Sequence, residues 1–209
     1  MHSSIFILLL AFPFILKAQL YIDASGQLPN NGSQGQSMDV RAADIDGDGD
    51  LDIILANEFQ PNTILLNDGK ANFTNGTAGK LPGKSADSED VAIADFDGNG
   101  TLDLIFCSED DITLNRTDVH EFYLGDGNGS FALTTYRFPD TEANAVITAD
   151  INGDSLPDVL FGNKGGTSIL FNNGDSTFRL ASGIIPQVNK TAQDLGLADL
   201  DNDGDLELF

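Results

Sequence analysis

Apolar and polar positions recur along this chain in blocks. Four times a short run of apolar or small residues ends in Ala and meets an Asp: VRAAD at Asp44, VAIAD at Asp95, VITAD at Asp150 and LGLAD at Asp199. A polar, mostly Gly-bearing stretch follows, and then a second apolar run: IILAN from Ile53, LIFC from Leu104, VLFG from Val159. A third run closes in a Gly turn that leads to Phe, as ILLNDGKANF, FYLGDGNGSF and ILFNNGDSTF. Gly69, Gly127 and Gly174 each stand four residues before Phe73, Phe131 and Phe178. Short β-rich runs bounded by turn residues predict strands rather than helices. Each block therefore predicts strand, polar loop, strand, connection, strand, hairpin and short strand.

The block length fixes the architecture. Asp44 to Asp95 is 51 residues, Asp95 to Asp150 is 55 and Asp150 to Asp199 is 49. A four-stranded antiparallel unit with a period near ~50 is a β-propeller blade. One such sheet buries too little surface by itself, so blades stack face to face around an axis. The expected fold is all-β: a β-propeller of four-stranded antiparallel blades, three complete and others partial, with repeats starting near residues 37, 88, 143 and 192. Phe73, Phe131 and Phe178 are expected to pack blade on blade. Residues 19–209 hold fewer than four such blades, whereas closed rings use about 4–8. The chain is therefore read as part of a longer propeller.

The polar loops carry the chemistry. They are DIDGDGDLD (Asp44–Asp52), DFDGNGTLD (Asp95–Asp103), DINGDSLPD (Asp150–Asp158) and DLDNDGDLE (Asp199–Glu207). Oxygen-bearing side chains stand at positions 1, 3, 5 and 9 of every copy, an alternation that turns oxygens toward one hard cation. Side-chain ligands are Asp44, Asp46, Asp48 and Asp52; Asp95, Asp97, Asn99 and Asp103; Asp150, Asn152, Asp154 and Asp158; and Asp199, Asp201, Asp203 and Glu207. Position 7 would add its backbone carbonyl, from Asp50, Thr101, Leu156 and Asp205. Ca²⁺, up to four ions, fits this set, and the lack of Cys and His in the loops argues against zinc or copper. Positions 4 and 6 should need positive φ, which Gly adopts freely. Asn202 tolerates it, and Ser155 fits less well. Metal-free acidic turns are the alternative, but four matched copies disfavour it.

An EF-hand would close on Glu at position 12; here that position is Leu55, Phe106 and Phe161. The pattern V-x-x-A-D-x-[DN]-G-D-G-x-x-D instead resembles the FG-GAP/VCBS repeats of integrin α-subunit propellers and of many secreted bacterial proteins. The resemblance covers about residues 20–209 and implies calcium-stapled blades. It also implies a secreted or cell-surface binding or adhesion module for a protein or glycan. Two other readings stay open: the propeller part of a secreted polysaccharide lyase or hydrolase, and a structural spacer in a larger surface protein. Beyond the leader His120 is the one histidine, and nothing near it in sequence suggests a Ser/His/Asp triad. An enzyme is thus the less favoured reading, with no catalytic residue assigned.

Composition narrows the picture further. Residues 5–16, IFILLLAFPFIL, match a signal-peptide core and are too short for a membrane span, so residues 1–18 are expected to be cleaved after Ala18. No second hydrophobic span follows, so membrane insertion after leader removal is not expected. Net charge is −23, and 16 of the 33 acidic residues fall in the loops. Four Ca²⁺ ions would offset part of this charge, and the remainder repels phosphate, which argues against nucleic-acid binding. The single Cys107 excludes an intramolecular disulfide and is expected as a small buried side chain. Asp39, Asp90 and Asp194 lie five residues ahead of their loops, where the third copy has Ala145. The segment GDGNGS (Gly125–Ser130) is read as a hairpin. The second block carries an insertion, Ser108–Val119, on the rim opposite the metal loops. With Arg116, it is the local candidate for a partner contact.

Overall fold

A computed structural model describes residues 23, 25–29, 36–83, 86–109, 120–139, 142–163, 165–183 and 191–209. The leader at 1–18 and the insertion from residue 110 to 119, Arg116 included, lie outside the described residues. Blade 1 is β1 (Gln36–Ala43), β2 (Asp52–Gln60), β3 (Thr63–Asn67) and β4 (Phe73–Asn75). Blade 2 is β5 (Ala86–Ala94), β6 (Asp103–Ser108), β7 (Glu121–Gly125) and β8 (Phe131–Leu133). Blade 3 is β9 (Ala143–Ala149), β10 (Asp158–Asn163), β11 (Gly166–Asn172) and β12 (Phe178–Leu180). A fourth unit contributes β13 (Leu197–Ala198) and β14 (Glu207–Leu208). Among the described residues no helix is long and apolar enough to cross a membrane.

Each complete blade is an antiparallel meander in chain order. The first-to-second strand register runs Ala43↔Asp52, Ala94↔Asp103 and Ala149↔Asp158, so the Ala before each loop faces the acid that ends it. Blades 1 and 2 are also joined directly. Glu58 pairs with Asp87 and Gln60 with Ala86, and the register shifts at Phe59, which takes a φ of 55° and is 59% exposed.

Alternation along the strands gives every blade two apolar faces. The rear face, toward the preceding blade, takes Val91, Leu104, Phe106 and Tyr123 in blade 2 and Val146, Val159, Phe161 and Leu170 in blade 3; all are at most 1% exposed. The front face takes Ile54, Ala56 and Ile64 in blade 1 and Ala92, Ile105, Cys107 and Phe122 in blade 2. Front and rear faces interlock to form the core. Blade 1 against blade 2 is one cluster, blade 2 against blade 3 a second, and blade 3 against Leu195, Leu197 and Leu208 a third. Fully burying one such side chain stabilises by roughly 1.5–3 kcal/mol. Between blades 2 and 3, Phe96, Phe122 and Phe178 meet edge to face at 5.7–5.8 Å, a favoured aromatic geometry. Phe131 and Phe178 are 6% and 7% exposed in these interfaces, as expected. Phe73, their counterpart in blade 1, is only half-buried because no described blade stands behind it.

Candidate metal centres

The loops wrap as their spacing predicts. Positive φ falls at position 4 (Gly47 76°, Gly98 73°, Gly153 78°, Asn202 62°) and position 6 (Gly49 93°, Gly100 87°, Ser155 70°, Gly204 98°). Ser155 holds the left-handed conformation without the freedom of Gly, which costs roughly 1–2 kcal/mol. The turn aims successive N–H groups at the acids. Asp44 accepts from Gly47 (2.8 Å) and Gly49 (3.0 Å). Asp95 accepts from Asn99 and Gly100, Asp150 from Gly153, Asp154 and Ser155, and Asp199 from Gly204. Asp46, Asp97, Asn152 and Asp201 at position 3 each accept the N–H of position 5. Asp48, Asn99, Asp154 and Asp203 at position 5 each accept the N–H of position 7, that is of Asp50, Thr101, Leu156 and Asp205.

Three of the loops bring carboxylates into one cluster. Oxygens of Asp44, Asp46 and Asp48 lie within 4.8 Å of one another, as do those of Asp95, Asp97 and Asp103 and those of Asp199, Asp201 and Asp203. In the third loop Asp150, Asn152 and Asp154 repeat the same hydrogen bonds, with an amide oxygen in place of one carboxylate. Such an all-oxygen donor set fits a hard divalent ion. Without one, the clustered charges repel.

Position 9 has a structural role that spacing did not reveal. Asp52, Asp103 and Asp158 are fully buried, and both oxygens of each accept backbone N–H groups. Asp52 accepts from Ile45 (3.1 Å) and Asn67 (2.8 Å), Asp103 from Phe96 (2.8 Å) and Gly125 (2.9 Å), and Asp158 from Ile151 (3.0 Å) and Asn172 (2.8 Å). Each acid thereby ties the start of its loop to the third strand. Glu207 accepts from Leu200 in the same way. Burial, reinforced by neighbouring loop acids, pushes the Asp103 carboxyl up to about 6 and raises those of Asp52 and Asp158. Asp103 shares the second cluster, whereas Asp52 and Glu207 stand outside the first and fourth. At position 2 the side chain turns the other way: Ile45 and Phe96 are core plugs, 3% and 0% exposed. The odd-even alternation thus gathers oxygens on one side of the loop and, at position 2 of the first two loops, turns apolar side chains into the core.

Loops and hairpins share one rim. Gly129 of the blade 2 hairpin donates to Ile45 O at 3.0 Å, and Thr101 Oγ1 donates to Gly125 O at 2.8 Å. Residues 125–130 form the expected turn, with Asp126 accepting from Asn128 and Ser130. At the opposite end of β5 and β6, Asp87, Glu89 and Glu109 form a second acidic group. Burial, then Glu109, Asp87 and Glu58, push Glu89 up to about 7. Local spacing could not show this group, because β5 and the end of β6 meet only through their register.

Asp90, whose position the sequence marked without a role, links three blades. It accepts from Arg41 Nη2 of blade 1 (2.8 Å), from its own Val91 N–H (2.7 Å) and from Val146 N–H of blade 3 (2.9 Å). Burial and the adjacent Asp39 push its carboxyl up to about 7, against the pull of Val146 and Arg41. His120 is buried, accepts the Ser108 N–H at Nδ1 and stacks on Phe161 at 4.6 Å. It is a core ring rather than an exposed base. Cys107 is buried as expected, and burial raises its thiol well above the usual range.

FG-GAP-like repeats match residues 44–106 and 150–209, together more than half of the 209 residues. The chain belongs to the FG-GAP-like repeat family. Both matched stretches begin on the first aspartate of a loop, Asp44 and Asp150. Among solved structures, a lectin from Agrocybe aegerita, reported for specific recognition of non-reducing terminal N-acetylglucosamine, superposes with a TM-score of 0.52 at 23% identity. The match covers 80% of this chain and 44% of the lectin, so the chain spans less than half of that protein's length. At this identity the likeness is one of fold. No curated protein matches the sequence.

Proposed function

We propose that this FG-GAP-like chain is a secreted or cell-surface calcium-braced scaffold whose blades present a protein- or glycan-binding surface. The observation that carries the calcium reading is the fourfold return of one oxygen-rich loop, with carboxylates clustered at positions 1, 3 and 5 in the first and fourth copies and at 1, 3 and 9 in the second. The ion would be held by those oxygens, with position 9 near or within the cage. Bound there it would supply charge neutralisation and rigidity. The protein's own N–H groups already orient each acid, so the loop is preorganised rather than assembled by the metal.

Calcium in this reading acts on stability, and the recognition surface lies elsewhere. The acidic loops and the hairpins share one rim, while the opposite rim carries the β2–β3 turn and the exposed Phe59. Surface turns held on a rigid scaffold often carry binding residues. A lectin among proteins of this fold favours glycan as the first ligand class to test. The experiment is a glycan array probed with the purified chain in calcium and again in chelator. Binding without turnover, lost on chelation together with the thermal stability, supports the proposal. Absence of glycan and protein binding from a chain that melts identically in both buffers refutes it.

A further inference from the structure

One buried side chain joins two neighbouring acidic loops. Asn172 ends β11, opens the hairpin of blade 3 and is 3% exposed. Its Nδ2 donates to Phe96 O at 2.9 Å and to Pro157 O at 3.1 Å. Its Oδ1 accepts from Gly174 N at 2.8 Å, and its own main-chain N–H donates to Asp158 at 2.8 Å. Both N–H bonds of the side-chain amide are thus engaged, one in each of two loops. Phe96 O lies in the peptide group that leads into Asp97 of the second loop, and Pro157 O in the one that leads into Asp158 of the third. Asn172 therefore grips each loop beside a candidate ligand.

The equivalent places show what is particular to this junction. Asn67 makes the same contacts within blade 1: Nδ2 donates to Leu51 O, Oδ1 accepts from Gly69 N and Ala71 N, and the main-chain N–H donates to Asp52. In blade 2 the place is held by Gly125, where a Cβ would collide with Leu102 O. Blade 2 reaches the loop before it through the main chain instead, from Gly129 N to Ile45 O at 3.0 Å. Between blades 2 and 3, by contrast, the tie from loop to loop passes through one replaceable amide. Its surroundings are stiff. Phe96 is wholly buried, donates its N–H to Asp103 and packs edge to face on Phe178, the first residue after the hairpin. A loop that closes on an ion loses backbone freedom. Where two loops share an ordered element, the first to close bears part of the ordering cost of the second. Fixing Phe96 O sets the Asn172 amide, and the amide sets Pro157 and Gly174 in the third loop and its hairpin. Such a coupling free energy acts equally in both directions.

We propose that Asn172 couples the second and third ion sites, so that occupation of either raises the calcium affinity of the other. This coupling presupposes the calcium reading given above, and its test separates the two. Calcium titration of the full chain, followed by NMR, reads each loop by itself through the amide shifts of Gly100 in the second and Ser155 in the third. Asp97 and Asp154 accept hydrogen bonds from within their own loops, so each can be changed to disable one site. Asp97→Ala should move the Ser155 midpoint to about fivefold higher calcium, and Asp154→Ala should move the Gly100 midpoint by the same factor. Both effects should vanish in the background of Asn172→Gly, which carries the residue blade 2 has at this place, and of Asn172→Ser. An electrostatic influence of one loop on the other would survive those changes, so effects that persist undiminished in both backgrounds overturn the proposal. Midpoints that ignore the state of the other loop overturn it too, and leave the calcium reading standing. Amides that do not respond to calcium at all overturn both. The two loop variants decide whether the sites are coupled without any change at Asn172.

Discussion

Replacing Asp103 with Ala separates what the loop acids do for the fold from what they do for an ion. Asp103 is fully buried and accepts from Phe96 N at 2.8 Å and Gly125 N at 2.9 Å. Removing the carboxylate leaves two buried donors without acceptors. At about 1–3 kcal/mol for each stranded group, the loss is roughly 2–6 kcal/mol, a large part of a domain's stability. It should appear in chelator as well as in calcium. Asp97 in the same loop accepts only from within the loop, at Asn99, and is more exposed. Its replacement by Ala should cost chiefly the ion. With free calcium tenfold above a Kd of about 10⁻³ M, binding to the folded state contributes about 1.4 kcal/mol. Urea unfolding of the parent, Asp103→Ala and Asp97→Ala chains, each in calcium and in chelator, gives the six required stabilities. The expected pattern is a deficit for Asp103→Ala in both buffers and a deficit for Asp97→Ala concentrated in calcium. Equal stability of Asp103→Ala and parent in chelator would refute the reasoning, because the buried hydrogen bonds would then carry no weight.

Three further outcomes follow from particular residues. Ser155→Gly relieves a φ of 70° in the third loop and should raise stability by about 0.5–1 kcal/mol, read as a shift of the urea midpoint without a change of slope. Asp90 titrates at about 7 in the fold against an ordinary 3.8, so the folded chain holds that proton more tightly than the unfolded chain. Its contribution is complete below about pH 4 and is lost as pH rises through about 7, and Asp90→Asn should flatten the stability–pH curve over that window at fixed calcium. Cys107, buried with its thiol raised, should stay unlabelled by a thiol reagent until the chain is unfolded, and quick labelling under native conditions would contradict its place in the core.

The blade plan was legible because its signals are local and repeated. Ala43, Ala94 and Ala149 announce the first-strand ends, Gly69, Gly127 and Gly174 the hairpins, and Phe131 and Phe178 the packing between blades. The φ demand at positions 4 and 6 was equally readable, down to the awkward Ser155. What the pattern did not reveal depends on contacts far apart in sequence. The second oxygen of Asp103 finds Gly125, 22 residues on. Asp90 finds Val146, 56 residues away. The pairing of Glu58 with Asp87, and the Phe59 bulge it requires, come from how two blades meet. Periodicity says which side of a strand an acid occupies but not which N–H waits there. Spacing therefore marks position 9 as a candidate metal ligand, while the fold shows it to be a hydrogen-bond anchor.

High-resolution diffraction from crystals grown in calcium addresses the central claim most directly. The account predicts an ion among Asp44, Asp46 and Asp48, among Asp95, Asp97 and Asp103, and among Asp199, Asp201 and Asp203, with another at Asp150, Asn152 and Asp154. Metal–oxygen distances should be about 2.3–2.6 Å. Water alone at all four centres in saturating calcium, with the loops otherwise unchanged, would contradict it.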